Sequence, residues 1–332
     1  MNSFGRLFRI SVYGESHGPG IAVGVDGCPA GLRLDEGDFG ADLERRKPAG
    51  HGATARREPD RPRFLSGVFN GRTTGAPLLI VIDNVDVRSE DYDFVRDSPR
   101  PGHADWTART KFGGFNDHRG SGHFSGRVTL GLVAAGVIAK KLIRPVAIEA
   151  RLTEAGGEAD AERAAADAAE RGDSIGGRID GRIESVPPGL GEPFFDGLES
   201  LIAHAVLAIP AVTAIEFGAG FAAARMRGSE YNDRLVSADG RTETHHAGGI
   251  NGGISNGNAI VFRVAVKPTS SIALPQTTFS FKTGRPEPLT VPGRHDACIA
   301  LRVPVIVEAA AAIVVADFML IEGKIPRVGP GD

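Results

Sequence analysis

Cysteine is nearly absent from this chain. The two thiols, Cys28 and Cys298, lie far apart with no C-x-x-C spacing, which argues against a zinc cage or a disulfide framework. Reduced thiols in a cytoplasmic protein are the expected state. Aromatic residues make up only 6%, so small aliphatic side chains must fill the core. Net charge is −3, and no basic field points to nucleic acid. The opening MNSFGRLFRISVYG has no apolar core of the kind a signal peptide needs. The most apolar stretch, near residues 303–321, is broken by Pro304, Glu308 and Asp317, and reads as a buried helix rather than a membrane span. There is no G-x-x-x-x-G-K-[ST] phosphate loop, no G-x-S-x-G elbow and no H-E-x-x-H pair, and no repeat of fixed period. No metal centre is expected.

What is present is glycine, 45 residues of it in a chain of 332, much of it beside reactive side chains. Residues 13–20 read YGESHGPG: carboxylate, hydroxyl and imidazole stand together among glycines. A buried strand has no use for that composition. A loop brought close to a charged ligand does. The runs at 7–12 and 21–25 read as strands around it. Asp35 caps a helix in which Phe39 and Leu43 share a face, and Pro48 and Gly50 end it. Strands are expected at 64–69, 77–82, 179–185, 212–217 and 259–266. Helices are expected at 125–143, 159–171, 195–207 and 304–320. Residues 97–124 read as one long Gly/Pro/His/Arg-rich loop, too rich in histidine for a mere linker. Strands and helices mix without regular alternation, so the expected class is α+β.

Two features invite other readings. FGAGFAAA contains G-x-G-x-x-A after a strand, but the ARMRGSEYND that follows is too short and polar to be the packing helix of a dinucleotide site. Arg46, Arg56, Arg57, Arg100, Arg127 and Arg294 lie in or beside Gly/Pro-rich segments, and two of them fall within three residues of a histidine. A lone surface arginine is usually only solvated. A set of them in loops fits an anion, which a guanidinium grips in a fork geometry. KPTSS at 267–271 offers one cation and three hydroxyls, a plausible phosphate cradle.

These segments together resemble the chorismate synthase family over nearly the whole chain. The strings that carry the resemblance are GESHG (14–18), LERRKP (43–48), RREPD (56–60), LSGVFNGRTTGAP (65–77), RPGHAD (100–105), GRVTLGLVAAGVIAKKL (126–142), GDSIGG (172–177), VPPGLGEPFFDGL (186–198), HAGGINGGISNG (246–257), KPTSS and GRHDAC (293–298). The resemblance implies one α+β domain over residues 1–332, a β-α-β sandwich with helices packed between antiparallel sheets, assembled as a cytoplasmic homotetramer. It implies a 1,4-elimination of phosphate from 5-enolpyruvylshikimate 3-phosphate to give chorismate in the shikimate pathway, dependent on reduced FMN. His17 would protonate the departing phosphate, with Ser16 beside it. His103 would sit by the anionic flavin, and Asp296 would take up the ring hydrogen as a proton by way of it. Arg46, Arg100, Arg127 and Arg294 would hold the substrate. Lys267, Pro268, Thr269, Ser270 and Ser271, with Gly252, Ala211, Ser125 and Arg294, would line the flavin site. Nothing suggests an added reductase domain, so an external flavin reductase would supply reduced FMN.

The chain departs from the family pattern in three places. RGSGHFSGR puts His123 and Phe124 where an arginine and a serine are usual at the flavin edge. The loop after ERRKP is one residue short, with His51 near a missing arginine. His245 stands for an asparagine. A charge-assisted hydrogen bond contributes roughly 1.5–3 kcal/mol, so two lost guanidiniums would weaken anion or flavin binding unless imidazolium replaces them. Two further readings therefore stay open: a paralogue using the same flavin site on a related enolpyruvyl or cyclic phosphate, and a non-catalytic ligand-binding protein.

Overall fold

The computed structural model describes residues 2–47, 56–87, 89–293 and 295–326. Five strands form an antiparallel sheet in the order Ser3–Phe4, Arg9–Gly14, Gly20–Asp26, Leu78–Asp83, Pro62–Ser66. Four more form a second antiparallel sheet in the order Val212–Phe217, Ile260–Val266, Gly177–Glu184, Ala147–Ala155. Alternation does the sorting. In Gly20–Asp26 every second residue (Ile21, Val23, Val25) is buried, and Leu78, Ile80 and Ile82 do the same one strand over. Each sheet thus has one apolar face.

Helices fill the space between those faces. Thr129–Leu142 packs on Arg9–Gly14 and Gly20–Asp26, and Pro304–Ile321 packs on Ala147–Ala155 and Gly177–Glu184. The two helices pack on each other, and Leu198–Leu207 lies against Pro304–Ile321. This is the expected sandwich. Pro304–Ile321 is long and apolar enough to cross a membrane by composition, but every residue from Val305 to Met319 is buried inside the molecule. Each fully buried Val, Leu or Ile contributes roughly 1.5–3 kcal/mol, so this helix is the main anchor of the fold.

Small residues let the helices approach. A Cβ placed on Gly136 would lie 2.3 Å from Ala309 Cβ and 2.6 Å from its Cα. Two carboxylates sit in this apolar middle, and both are satisfied. Asp317 accepts from the N–H groups of Arg6, Leu7 and Phe8 and ties down the N-terminal segment. Glu308 accepts from Arg45, from Lys140 and from the Ala150 N–H. Burial works against the Glu308 charge, yet these donors outweigh it and keep its carboxyl below the usual range.

The N-cap at Asp35 is as expected, with Asp38 completing a capping box. FGAGFAAA continues into a short 3-10 turn, Gly220–Arg225, so no dinucleotide-type helix follows it. Two expectations need correction. Residues 97–124 are not one loop: Asp105–Lys111 is an α-helix and Arg119–Phe124 a set of tight turns. The expected helix at 195–207 begins at Leu198, after a 3-10 turn at Phe194–Asp196. The strand Ala147–Ala155 and the hairpin Gln276–Ser280/Arg285–Leu289 were not anticipated. The first buries mainly Ala150 and Ala155, poor strand formers, and the second contains two prolines.

Candidate active site

The YGESHGPG stretch is the turn between Arg9–Gly14 and Gly20–Asp26. Asn84, just past Leu78–Asp83, clamps it: its side-chain amide donates to the carbonyls of Glu15, Ser16 and Gly18. Arg56 adds bonds to Ser16 Oγ and Ser16 O, both at 3.0 Å. His17 Nδ1 meets Ser89 Oγ at 3.1 Å, and its ring stands edge-on to Tyr92. Contacts to the backbone therefore fix the turn, and Ser89 and Tyr92 fix the imidazole.

His17 and Ser16 face a polar cavity of about 840 Å³ at the end of the sandwich. Seven Lys/Arg and four Asp/Glu side chains line it among the described residues. Two of the arginines expected to grip ligand are already engaged. Arg127 donates to Asp60 at 2.6 Å and to Asn84 Oδ1 at 2.9 Å. Arg100 is buried and forks onto Asp105 while also reaching Ser271. Arg46 differs. It is 3% exposed, its Nε has no hydrogen-bond partner among the described residues, and its other contacts are long, 3.4 Å to Gly126 O and 3.5 Å to Asp60. Burial, with Arg302 nearby, pushes it down to about 9. It remains charged at neutral pH, and Asp60 offsets that charge only through a long contact.

Beyond His103 lies a second, mainly apolar cavity of about 610 Å³. Phe4, Ile10, Val12, Leu132 and Ile313 give it greasy walls, and His123, Phe124, Ala211, Lys267 and Pro268 its rim. His103, Ser125, Thr269 and Ser270 line both cavities, so the two adjoin. A flat apolar ring system with a polar edge suits this shape. The Thr269 hydroxyl is buried here without a partner among the described residues, as expected of a group that a cofactor oxygen would satisfy. Lys267 donates to Gly102 O and Ser270 Oγ, which places a cation at the rim. Ser174 of GDSIGG holds the Thr269 carbonyl, fixing the KPTSS loop.

His103 sits between the cavities with Nδ1 2.6 Å from Asp105 Oδ1. Burial is the largest influence on the ring and lowers its proton affinity. Asp105 opposes this, Arg100 and Lys267 add to it, and the net direction is downward. Burial thus favours the neutral ring.

The predicted residues divide as follows. The polar cavity gathers Ser16, His17, Arg46, Arg100, Arg127, Ser271 and Asp296, the last in a close ion pair with Arg302. The apolar cavity gathers His123, Phe124, Ala211, Lys267 and Pro268. His123 gives Nδ1 to the Gly14 carbonyl at 2.7 Å, and the Ser125 hydroxyl caps the turn that opens helix Thr129–Leu142. Gly252 is not brought in: it is at the tip of the hairpin Ile250–Asn251/Ile254–Ser255 and lines neither cavity. Exposed His245 lines neither. Arg294 and His51 lie outside the described residues. Sequence reading missed Asp60, Glu58, Tyr92, Asp105, Ser121 and Arg302 as cavity or partner residues. Asp105 was within reach, since it ends the RPGHAD string.

A family model described as chorismate synthase matches residues 8–320. Chorismate synthase of Chitinophaga pinensis is 58% identical over 99% of this chain and 99% of its own. That of Desulfovibrio desulfuricans is 45% identical over 97% of this chain and 98% of its own. A solved crystal structure of chorismate synthase superposes with a TM-score of 0.72 at 26% identity, over 96% of this chain and 93% of that one. The chain belongs to the chorismate synthase family.

Proposed function

We propose that this chain eliminates phosphate from 5-enolpyruvylshikimate 3-phosphate to form chorismate, with reduced FMN bound in the apolar cavity. The observation that carries this reading is the pair of adjoining cavities, each with a buried polar atom that has no partner among the described residues: Arg46 Nε in the cationic one and Thr269 Oγ1 at the boundary. A substrate with one phosphate and two carboxylates repels itself strongly in a water-poor site, and the cationic side chains of the polar cavity, Arg46 foremost, would offset that repulsion.

Lys267, Thr269, Ser270 and the rim at His123 and Phe124 would hold the flavin, which supplies electron density to the substrate when bound. The chain's own residues supply the rest. His17, fixed through Ser89 and Tyr92, would give a proton to a leaving phosphate oxygen. Asp296, held by Arg302, would serve as base, one of four carboxylates that line the polar cavity among the described residues. His103 would act between the two, with burial favouring its neutral form. Reduced FMN would come from an external flavin reductase.

His17→Ala is expected to keep FMN binding, read by flavin fluorescence, and to lower turnover by about 10²–10⁴-fold. Turnover close to that of the parent chain would remove His17 from the mechanism. A paralogue acting on a related enolpyruvyl phosphate is the second reading. It is favoured by one observation, that His123 spends Nδ1 on Gly14 O at the flavin rim.

We read residues 1–332 as one domain because the buried cluster runs unbroken from Phe8 to Met319. A homotetramer would cover exposed Phe115, Phe194, Phe195 and Phe221. Buried Cys28, its thiol pushed up to about 12 by burial, suits the cytoplasm.

A further inference from the structure

Three cavities meet at two residues, Ser121 and His103. Ser121 lines the polar cavity, the apolar cavity and a third of about 690 Å³ beside helix Asp105–Lys111. It is also the one side chain in a turn built otherwise of glycine. Gly120, Ser121 and Gly122 all have positive φ, at 55°, 72° and 52°. A serine adopts this conformation rarely, and such residues gather at functional sites.

Its hydroxyl is bound on two sides. Ser121 Oγ is 3.2 Å from His103 Nε2 and 3.1 Å from Arg100 Nη2. On the far side of the ring, His103 Nδ1 faces Asp105 Oδ1. Arg100 Nη2 lies 3.2 Å from Nδ1 as well, but Asp105 Oδ1 at 2.6 Å is the closer partner of that nitrogen. An ionised carboxylate only accepts, so Nδ1 carries the hydrogen. A guanidinium only donates, so Ser121 Oγ accepts from Arg100 and turns its own hydrogen to Nε2. The same turn reaches the other histidine. A Cβ on Gly120 would lie 2.5 Å from His17 Cδ2, and Ser16 N–H donates to Gly122 O at 3.0 Å.

We propose that Ser121, together with Asp105, is a positioning residue for His103. Its hydroxyl occupies Nε2 in the ligand-free chain, holds the neutral Nδ1–H tautomer, and yields that nitrogen to an N–H or O–H donor of the bound cofactor. The inference rests on the proposed function for the role of His103, and on the contacts of Nδ1 and Nε2 in the neutral ring for its tautomer. The charged and titratable groups around the ring are Asp105, Arg100 and Lys267.

The test is nitrogen-15 NMR on the full chain with ring-labelled histidine, followed across pH, without ligand and with oxidised FMN. The His103 signal is the one missing from His103→Asn. The parent chain is expected to show Nδ1 protonated at neutral pH. Ser121→Ala and Ser121→Gly each remove a donor to the neutral ring, so the midpoint rises by about half to one pH unit. Asp105→Asn removes the partner of the imidazolium, so the midpoint falls. Ser121→Gly also relaxes the turn, so a purely structural serine would leave the midpoint unmoved. FMN is expected to shift the His103 Nε2 signal. An unmoved midpoint in both Ser121 variants, or Nε2 protonated in the parent chain, overturns the proposal. A chain inactive on the family substrate that still shows these shifts would sink the lyase reading and leave this one standing.

Discussion

Arg46 holds its charge where little offsets it. Its Nε is unpaired among the described residues and its pKa is about 9 against a usual 12.5. Between those values the unfolded chain binds more protons, so the stability penalty is full below pH about 9 and eases above it. Arg46→Met is therefore expected to leave the melting temperature of the ligand-free chain unlowered, and to weaken binding of the phosphorylated substrate by about 10- to 100-fold. Calorimetric titration beside a thermal melt reads both. Asp105 is the opposite case. Burial works against its charge, but hydrogen bonds from Arg100 and His103 outweigh that and hold the carboxyl well below the usual range. A depressed carboxylate contributes stability above its unfolded value, near 3.9, and loses it as pH falls toward the folded value. The melting temperature should drop as the solution is acidified below about pH 4, and Asp105→Asn, less stable at neutral pH, should show a flatter acid limb. At this scale the histidines were legible, because His17 and His103 stand in glycine-rich strings that no core would use. Asp60 and Arg302 were not. Their roles arise where Arg127 meets Asp60 and Arg302 meets Asp296, and spacing along the chain carries no trace of the first pairing.

Helices and strands rich in apolar residues were readable within a few residues. Thr129–Leu142, Pro304–Ile321 and Val212–Phe217 are examples. Their small-residue content also has a readable cause, the close crossing at Gly136 and Ala309. Gly136→Ala should force the two central helices apart and destabilise the fold by about 1–3 kcal/mol, measured by urea unfolding. An unchanged midpoint would mean that the helices do not cross there. Elements held by tertiary contact rather than pattern were invisible. Helix Asp105–Lys111 buries only Ala108, and Ala147–Ala155 gains its place by pairing with Gly177–Glu184.

On the scale of the molecule, the sandwich brings the turn after Arg9–Gly14, the start of the central helix and the loop after Ile260–Val266 to one end. That convergence makes two adjoining cavities from segments more than 250 residues apart in sequence, such as Ser16 and Ser271. The resemblance across motifs anticipated the sandwich and most of the lining. It could not place the cavities or divide polar from apolar. The most direct test of the account is an anaerobic assay with 5-enolpyruvylshikimate 3-phosphate and chemically reduced FMN, following chorismate absorbance and free phosphate together. The account predicts the two products in equal amounts, and none with oxidised FMN. Bound reduced FMN with neither product formed would contradict it and turn attention to a different phosphorylated substrate.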